Sequence, residues 1–489
     1  MKITSVETIQ NKKYSNIVWV QIHTDEGLVG LGETFRNPEA IVAYIHETCA
    51  PYLIGRDPRR INEHADNLIN WTANRYIGYP TRSVEYRGNS AVDIALWDLK
   101  AKASNLSLVD MLGGLCRDNI PVYNTCAADG YNLKANSLSR SGSEYKTNDQ
   151  KRLQDDLTLQ ISNPGELAQS LLNEGISAMK IWPFDEFAFL TKGQRISYED
   201  LKKGLSRIEK IRKAVGSKID IMLEYHSLWQ LAPALKIAKH VDEFDVFWHE
   251  DPINMAHLKD LAEFKSKTIA PIAGSEALGT ALWYRDALAI NAIDYMHYDL
   301  GWIGGITEAI KIAGLAHANN RMMCPHDCTG PVVWIANLHI SLAFPTAMIL
   351  ESVRAFYNGF YQNLVTDLPI IENGFAFPMN GNGLGTELKH TLLNSPDTII
   401  KKTTVKTRKV TIATKKPTEV IKKISTTEIK IKAPIKISKT YTPKDTEKYM
   451  CDKHLSFFKI KLTEWKKELV KANNEALYHG SMDDNSVSA

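Results

Sequence analysis

Cysteine is scarce in this chain, with 6 in 489 residues. So few in a chain so long make no disulfide framework, and a reducing cytoplasm suits them. Cys324 and Cys328 flank a histidine in the run CPHDC, but that spacing is not an ordinary zinc pattern. No uninterrupted apolar run reaches the ~20 residues of a membrane span. The opening run MKITSVETIQNKKYS has no apolar signal core, which argues against secretion. Strong charge of one sign is missing too, the net being +3.

That small net hides a division. Of 59 Lys+Arg and 56 Asp+Glu, 21 and 10 lie after residue 400, leaving 38 and 46 in the first 400 residues. The body is therefore mildly acidic, and the last 89 residues form a basic appendix. Its first part, from KKTTVKTRKV to IKISKT, is rich in Lys, Thr and Ile, lacks glycine and shows no helical period. Near the end, LSFFKIKLTEWKKELVKANNEAL predicts an amphipathic helix. Basic tails touch nucleic acid or acidic surfaces, but a solvated extension explains this one more simply. The 44% hydrophobic and 24% charged fractions place the chain among soluble globular proteins, and its length predicts two or three domains.

The middle of the chain alternates short apolar strands with amphipathic helices. IPVYNTCA, SAMKIW, IDIMLEY, DVFWHEDP, PIAGSEA, DYMHYDL, RMMCPHD and TAMILESV read as eight strands. Ionisable residues close seven of them: Lys180, Glu224, Glu250, Glu276, Asp299, His326 and Glu351. After the first, their intervals are 26, 26, 23, 27 and 25 residues, about what one strand, one helix and two loops require. Eight such units predict a (β/α)₈ barrel with its reactive groups at the carboxyl ends of the strands. The first unit is overlong, with a polar excess at 132–160. Before the barrel, ITSVETIQ and VWVQIHTDEGLVGLGET predict paired strands turning at Glu26-Gly27, followed by helices. The aromatic and basic segment 71–87 suits a lid over a small anionic substrate, or ordinary packing.

Three successive strands end in Glu224, Glu250 and Glu276. Neighbouring strands lie about 4.8 Å apart, so the acids converge, and like charges that close require protons or a cation. Hard oxygen ligands suit Mg²⁺, which keeps positions open for water and substrate. Helix capping or pairing with lysine would explain one such glutamate, but not three in register. Asp299 and His326 end the next two strands, and a carboxylate beside an imidazole orients it and raises its basicity. Lys180 sits across the acids, to hold a substrate carboxylate or, if desolvated, to act as a base. Glu224 and His226, two apart, would share a face if their strand continued that far.

With these residues in place, the span from about 1 to 405 resembles the mandelate racemase-like branch of the enolase superfamily. The resemblance implies an α+β capping domain at 1–117 and a modified (β/α)₈ barrel at 118–355. A segment at 356–404, carrying GNGLGTELK, would return to the cap, and a Lys-rich extension would follow at 405–489. It also implies Mg²⁺ on Glu224, Glu250 and Glu276, an Asp299–His326 dyad, and assembly as a homo-oligomer. Superfamily sites pair a Lys or His base with Mg²⁺ that stabilises an ene-diolate.

Two features narrow the chemistry. Many members carry Lys-x-Lys on the second strand, whereas this chain reads Lys180-Ile181-Trp182 and lacks the opposite-face base that racemisation needs. Glu224-Tyr225-His226 resembles the pattern of galactonate- and mannonate-type dehydratases, in which the histidine protonates a departing hydroxyl. The expectation is an Mg²⁺-dependent dehydratase of an aldonate or aldarate. His326 would be the base, Asp299 its orienting partner and His226 the acid, with Lys180 and Glu351 holding charge. An epimerase or lactone cycloisomerase of the same family, and a non-catalytic binding protein acting through its basic tail, are the rival readings.

Overall fold

Alternation of apolar residues in the first thirty-five positions builds three antiparallel strands: β1 (Ile3–Asn11), β2 (Ile17–Thr24) and β3 (Val29–Phe35). A strand at Thr398–Thr404 pairs antiparallel with β1 and completes a four-stranded sheet. Helix Glu85–Ala103 lies across β3. Gly30 and Gly32 permit that approach, because a Cβ at either would collide with the carbonyl of Ala95 or Ala91. Asp98 of this helix is buried, accepting from Leu31 N at 2.8 Å and Leu384 N at 2.8 Å while pairing with Lys102 at 2.8 Å. The carboxyl-terminal segment is thereby tied to the sheet it rejoins.

The computed structural model describes residues 1–71, 83–129, 131, 155–404, 436–438, 441–444 and 451–479, in two compact units, Met1–Thr407 and Arg408–Ala489. Most of the lid expected at 71–87, and of the loop at 132–160, lies outside the described residues. The second unit contains helix Asp452–His479, and Tyr441 meets the edge of Phe457 at 6.0 Å. No helix among the described residues is long and apolar enough to cross a membrane.

Eight parallel strands close the barrel of the first unit. They are β4 (Ile120–Thr125), β5 (Ala178–Ile181), β6 (Asp220–Glu224), β7 (Trp248–Glu250), β8 (Ile272–Gly274), β9 (Tyr295–Met296), β10 (Met322–Met323) and β11 (Leu350–Ser352). Each pairs with the next up to β10, β11 pairs with β4, and a bridge between Met323 and Ala347 joins the remaining edges. A buried layer of Tyr123, Ala178, Met222, Trp248, Ala273 and Cys324 fills the interior, as barrels of this kind require.

The amino-terminal layer covers the carboxyl ends of the strands through polar contacts on the loop after β9. Thr34 donates to Gly301 O at 2.8 Å, Ser90 accepts from Gly304 N at 2.8 Å, and Asp93 accepts from Thr307 N at 2.9 Å and its hydroxyl at 2.6 Å. Glu33 reaches further. Its carboxylate accepts from Val332 N and Val333 N, both at 3.0 Å, at the start of helix Pro331–Ala343, and from Trp19 Nε1 at 2.7 Å. An anion at a helix amino terminus is favourable. Burial nevertheless prevails over these donors and pushes the Glu33 carboxyl up to about 8.

A raised folded-state value means that the folded chain holds a proton which the unfolded chain has released. The contribution of Glu33 is then fully present below the unfolded value of 4.5 and is lost as pH climbs towards 8. Glu33→Gln should lower the unfolding temperature, since an amide cannot accept from all three donors and one buried N–H left unpaired costs about 1–3 kcal/mol. The gap between parent and variant should narrow from pH 5 to pH 8 in thermal scans. A gap that widens over that range would contradict the assignment.

Candidate active site

Register places the first two acids side by side. Glu224 and Glu250 are partners across β6 and β7, both last in their strands and both buried. Glu276 lies two residues beyond β8, and its side chain is 19% exposed. One carboxylate oxygen from each of the three falls within 4.8 Å of the others. Burial and the neighbouring Glu250 push Glu224 well above the usual carboxylate range, and Glu224 Oε2 has no hydrogen-bond partner.

Lys180 enters the cluster rather than standing apart from it. Its Nζ lies 2.6 Å from Glu250, 2.9 Å from Glu351 and 3.8 Å from Glu224. Burial would strip its proton, but Glu250, Glu351 and Glu224 outweigh burial and hold the ammonium well above its ordinary pKa. Of the two roles read from the sequence, a charged anchor fits these surroundings and a base does not. Glu351 accepts from Tyr123 OH at 2.8 Å, Asp327 N at 3.1 Å and the Thr125 hydroxyl. Burial would raise its pKa, yet Lys180, His326 and His297 hold it well below the usual range. His297 bridges the layer, 3.5 Å from Glu250 and 3.4 Å from Glu351.

His326 and Asp299 each lie three residues past a strand, β10 and β9. His326 Nδ1 meets Asp299 Oδ2 at 2.8 Å. An ionised carboxylate only accepts, so Nδ1 carries the proton. The opposite nitrogen, Nε2, faces Glu276 Oε2 at 2.7 Å. Burial works against the imidazolium, but Glu276, Cys328 and Glu351 hold its pKa well above the ordinary value. Thr329 and Gly301 N also bond Asp299, and Trp302 meets the imidazole edge-on at 5.1 Å.

His226 is reached by a different route from the one that strand alternation predicts. β6 stops at Glu224, and His226 and Ser227 turn left-handed, at φ 49° and 59°. The turn lets His226 N donate to Glu224 and brings the ring to Asp185, with Nδ1 2.6 Å from Oδ2. Trp182, standing where a second lysine would be, meets the His226 ring at 5.5 Å. Asp185 was invisible in the sequence, because 41 residues separate it from its partner.

One cavity of about 180 Å³ joins these groups, lined among others by Lys180, Glu224, Glu276, His226, His326 and Glu351. Arg36 and Arg87 line it from the covering layer. Asp299, His326 and Cys328 also lie close enough to be a second metal-type group, but Asp299 is already saturated by His326, Gly301 and Thr329.

The first cluster fits a divalent cation. It is buried and made of carboxylate oxygens, and one of them is unpartnered. Oxygens that share one Mg²⁺ at about 2.1 Å cannot be more than about 4.2 Å apart, so the three carboxylates would draw closer together to share it. Glu224, Glu250 and Glu276 can therefore hold a metal ion, of the kind that members of this fold family generally bind.

The mandelate racemase/muconate lactonizing enzyme amino-terminal domain family matches residues 2–113, and the enolase C-terminal domain-like family matches 165–392. A solved enolase of the mandelate racemase subgroup from Agrobacterium tumefaciens is 43% identical, covers 83% of this chain and 99% of its own, and superposes with a TM-score of 0.73. An enolase protein from Sargasso Sea environmental sequence is 38% identical over 82% of this chain and 99% of its own, with a TM-score of 0.72. The D-galactonate dehydratase of Pectobacterium atrosepticum is 27% identical over 414 residues, 81% of this chain and 96% of the relative. That of Verminephrobacter eiseniae is 26% identical over 412 residues, 80% and 94%. With barrel, covering layer and acid cluster all of this kind, the chain belongs to the enolase superfamily, in its mandelate racemase-like branch.

Proposed function

We propose that this enzyme is an Mg²⁺-dependent dehydratase of a sugar acid, forming a 2-keto-3-deoxy acid. The observation that carries the reading is the pair of imidazoles on one cavity, each oriented by its own carboxylate: His326 by Asp299 and His226 by Asp185. Relatives named D-galactonate dehydratase support it. So does Trp182, which puts an indole where a two-base racemase needs a second proton carrier.

Glu224, Glu250 and Glu276 would hold the Mg²⁺, which offsets the negative charge gathering on a substrate carboxylate as its α-proton leaves. Lys180, kept charged by Glu351 and Glu250, donates to that carboxylate. Glu276, the acid that most strengthens the hold of His326 on a proton, would be engaged by the Mg²⁺. With that pull withdrawn, His326 takes the α-proton at Nε2 while Asp299 holds Nδ1–H, which fixes the tautomer and steadies the imidazolium. The electron pair then expels the 3-hydroxyl, a poor leaving group that departs as water only with a proton, and His226 supplies that proton. The enol product tautomerises to the 2-keto acid. Burial keeps bulk water from the ene-diolate, so its charge is met by fixed groups rather than by solvent.

Glu250→Gln should weaken Mg²⁺ binding by more than about a hundredfold, since loss of even an outer partner of a ligand typically costs 10–100-fold. Calorimetric titration of the purified chain reads this directly, and unchanged affinity would remove Glu250 from the ligand set.

A panel of aldonic and aldaric acids, scored for 2-keto acid with Mg²⁺ present, tests the activity itself. On a substrate so found, His326→Asn should abolish both dehydration and exchange of the α-proton with D₂O. His226→Asn should slow dehydration by on the order of 10²–10⁴ while leaving exchange detectable by NMR, because abstraction precedes loss of hydroxide. Deuterium entering parent-enzyme substrate with no water lost would favour an epimerase. Ring-opened or ring-closed product would favour a cycloisomerase.

A further inference from the structure

The charges around the cavity are unevenly distributed. On the barrel side, every cation has an acid: Lys180 lies against Glu250 and Glu351, and His326 against Glu276 and Asp299. On the covering side are two guanidinium groups, and among the described residues neither makes an ion pair. Arg87 opens helix Glu85–Ala103 and is 8% exposed, yet its one hydrogen bond is from Nη1 to Phe35 O, at 3.1 Å, and Nε is buried without a partner. Arg36 follows β3, and its guanidinium lies 5.5 Å from the Phe35 ring.

A buried, unpaired guanidinium is costly, and a second cation beside it makes it more so. The two are close enough that Arg36, together with burial, lowers the Arg87 pKa, to about 10. Asp299 offers the largest opposing pull, but its oxygens are spent on His326, Gly301 and Thr329. Arg36 and Asn37 both adopt left-handed conformations, at φ 67° and 48°. The turn brings Arg36 to the cavity wall. The face of Arg87 is taken by Trp302, 4.1 Å from the ring centroid, which leaves its edge, including Nε, as the donor surface. A planar guanidinium edge matches a carboxylate with two parallel bonds.

We infer that Arg36 and Arg87 form a site for a second carboxylate, so that the substrate is an aldaric acid carrying a carboxylate at each end. This rests on the sugar-acid reading above and narrows it. One carboxylate goes to Lys180 and the acid cluster. The other meets the two guanidinium groups, and its charge supplies the counterion that the described residues do not. A neutral hydroxymethyl end, as in an aldonic acid, would leave the buried Arg87 without a counterion.

The test uses the full-length, Mg²⁺-loaded chain and matched hexaric and hexonic acids of galacto, gluco and manno configuration. Affinities are measured by calorimetry on the His326→Asn variant and turnover on the parent. For at least one configuration, the diacid should bind at least tenfold more tightly than the monoacid. Adding Arg36→Gln should cost the diacid at least tenfold more affinity than it costs the monoacid, and Arg36→Lys should recover part of the loss. Arg36 is only half-buried, so these variants keep the test independent of whether Arg87 variants fold. Diacid preference that depends on Arg36, without 2-keto product from any acid, would uphold the carboxylate site and overturn the dehydratase reading. Dehydration of monoacids with equal or weaker binding of diacids would do the reverse, and so would an Arg36→Gln penalty equal for both. Tighter binding of a 6-phosphoaldonate than of either would replace the carboxylate by a phosphate and overturn the proposal. Failure of every acid to bind would overturn both.

Discussion

Carboxylate crowding at the mouth of the barrel governs the rest of this molecule. Two unit charges 4 Å apart repel by about 4 kcal/mol at an effective dielectric of 20, a large share of the 5–15 kcal/mol that holds a typical domain together. Glu224, Glu250, Glu276 and Glu351 share one small volume, and Asp251 is buried beside them. Stability cannot explain such an arrangement, because the layer beneath shows how this barrel is filled when packing alone decides. Tyr123, Ala178, Met222, Trp248, Ala273 and Cys324 complete that layer without a charge. The acids persist because Lys180, His297 and His326 are threaded among them and because the cluster suits a cation. The acids still outnumber the cations among them, which is why the cluster suits a metal ion.

The covering layer takes part in this balance rather than merely sitting on it. Thr34, Ser90 and Asp93 grip the loop at 301–307, which begins two residues after Asp299. Glu33 holds the first turn of helix Pro331–Ala343, which follows the loop of His326 and Thr329. Both halves of the Asp299–His326 dyad thus stand on loops braced by the amino-terminal sheet and helix. The same layer contributes Arg36 and Arg87. Without that layer the dyad would lose its bracing and the cavity its cationic wall.

Much of this was legible in the sequence because it is periodic. The intervals of 23 to 27 residues between strand ends located the barrel strands and six of the ionisable residues around the cavity. Short-range geometry was less legible. Strand alternation placed His226 beside Glu224, but β6 stops at Glu224, and two left-handed residues make the approach instead. Glu276, Asp299 and His326 sit beyond their strands, where loop conformation and not sheet register sets direction. Asp185 and Arg36 left no trace, and Arg87 showed only as the last residue of the basic segment at 71–87. The partner of Asp185 is 41 residues away, and a lone acid or arginine among many carries no local signal until the fold brings it to the cavity.

Trp182 shows why one substitution matters more than its size suggests. A lysine there would place a second proton carrier on the strand that already carries Lys180, facing the reacting carbon from the other side. An indole ring can neither remove nor return a proton from carbon. The imidazole nearest to it, His226, which the proposed reaction uses as proton donor, comes from the following strand's loop and packs against Trp182 at 5.5 Å, with Asp185 fixing its ring. Its approach is set by a turn that its own backbone bond to Glu224 stabilises. A base held by Asp299 and an acid held by Asp185 can divide one elimination between them. Two bases facing one carbon are what inversion requires, and among the described residues of this cavity His326 alone is an imidazole that is both paired to a carboxylate and buried.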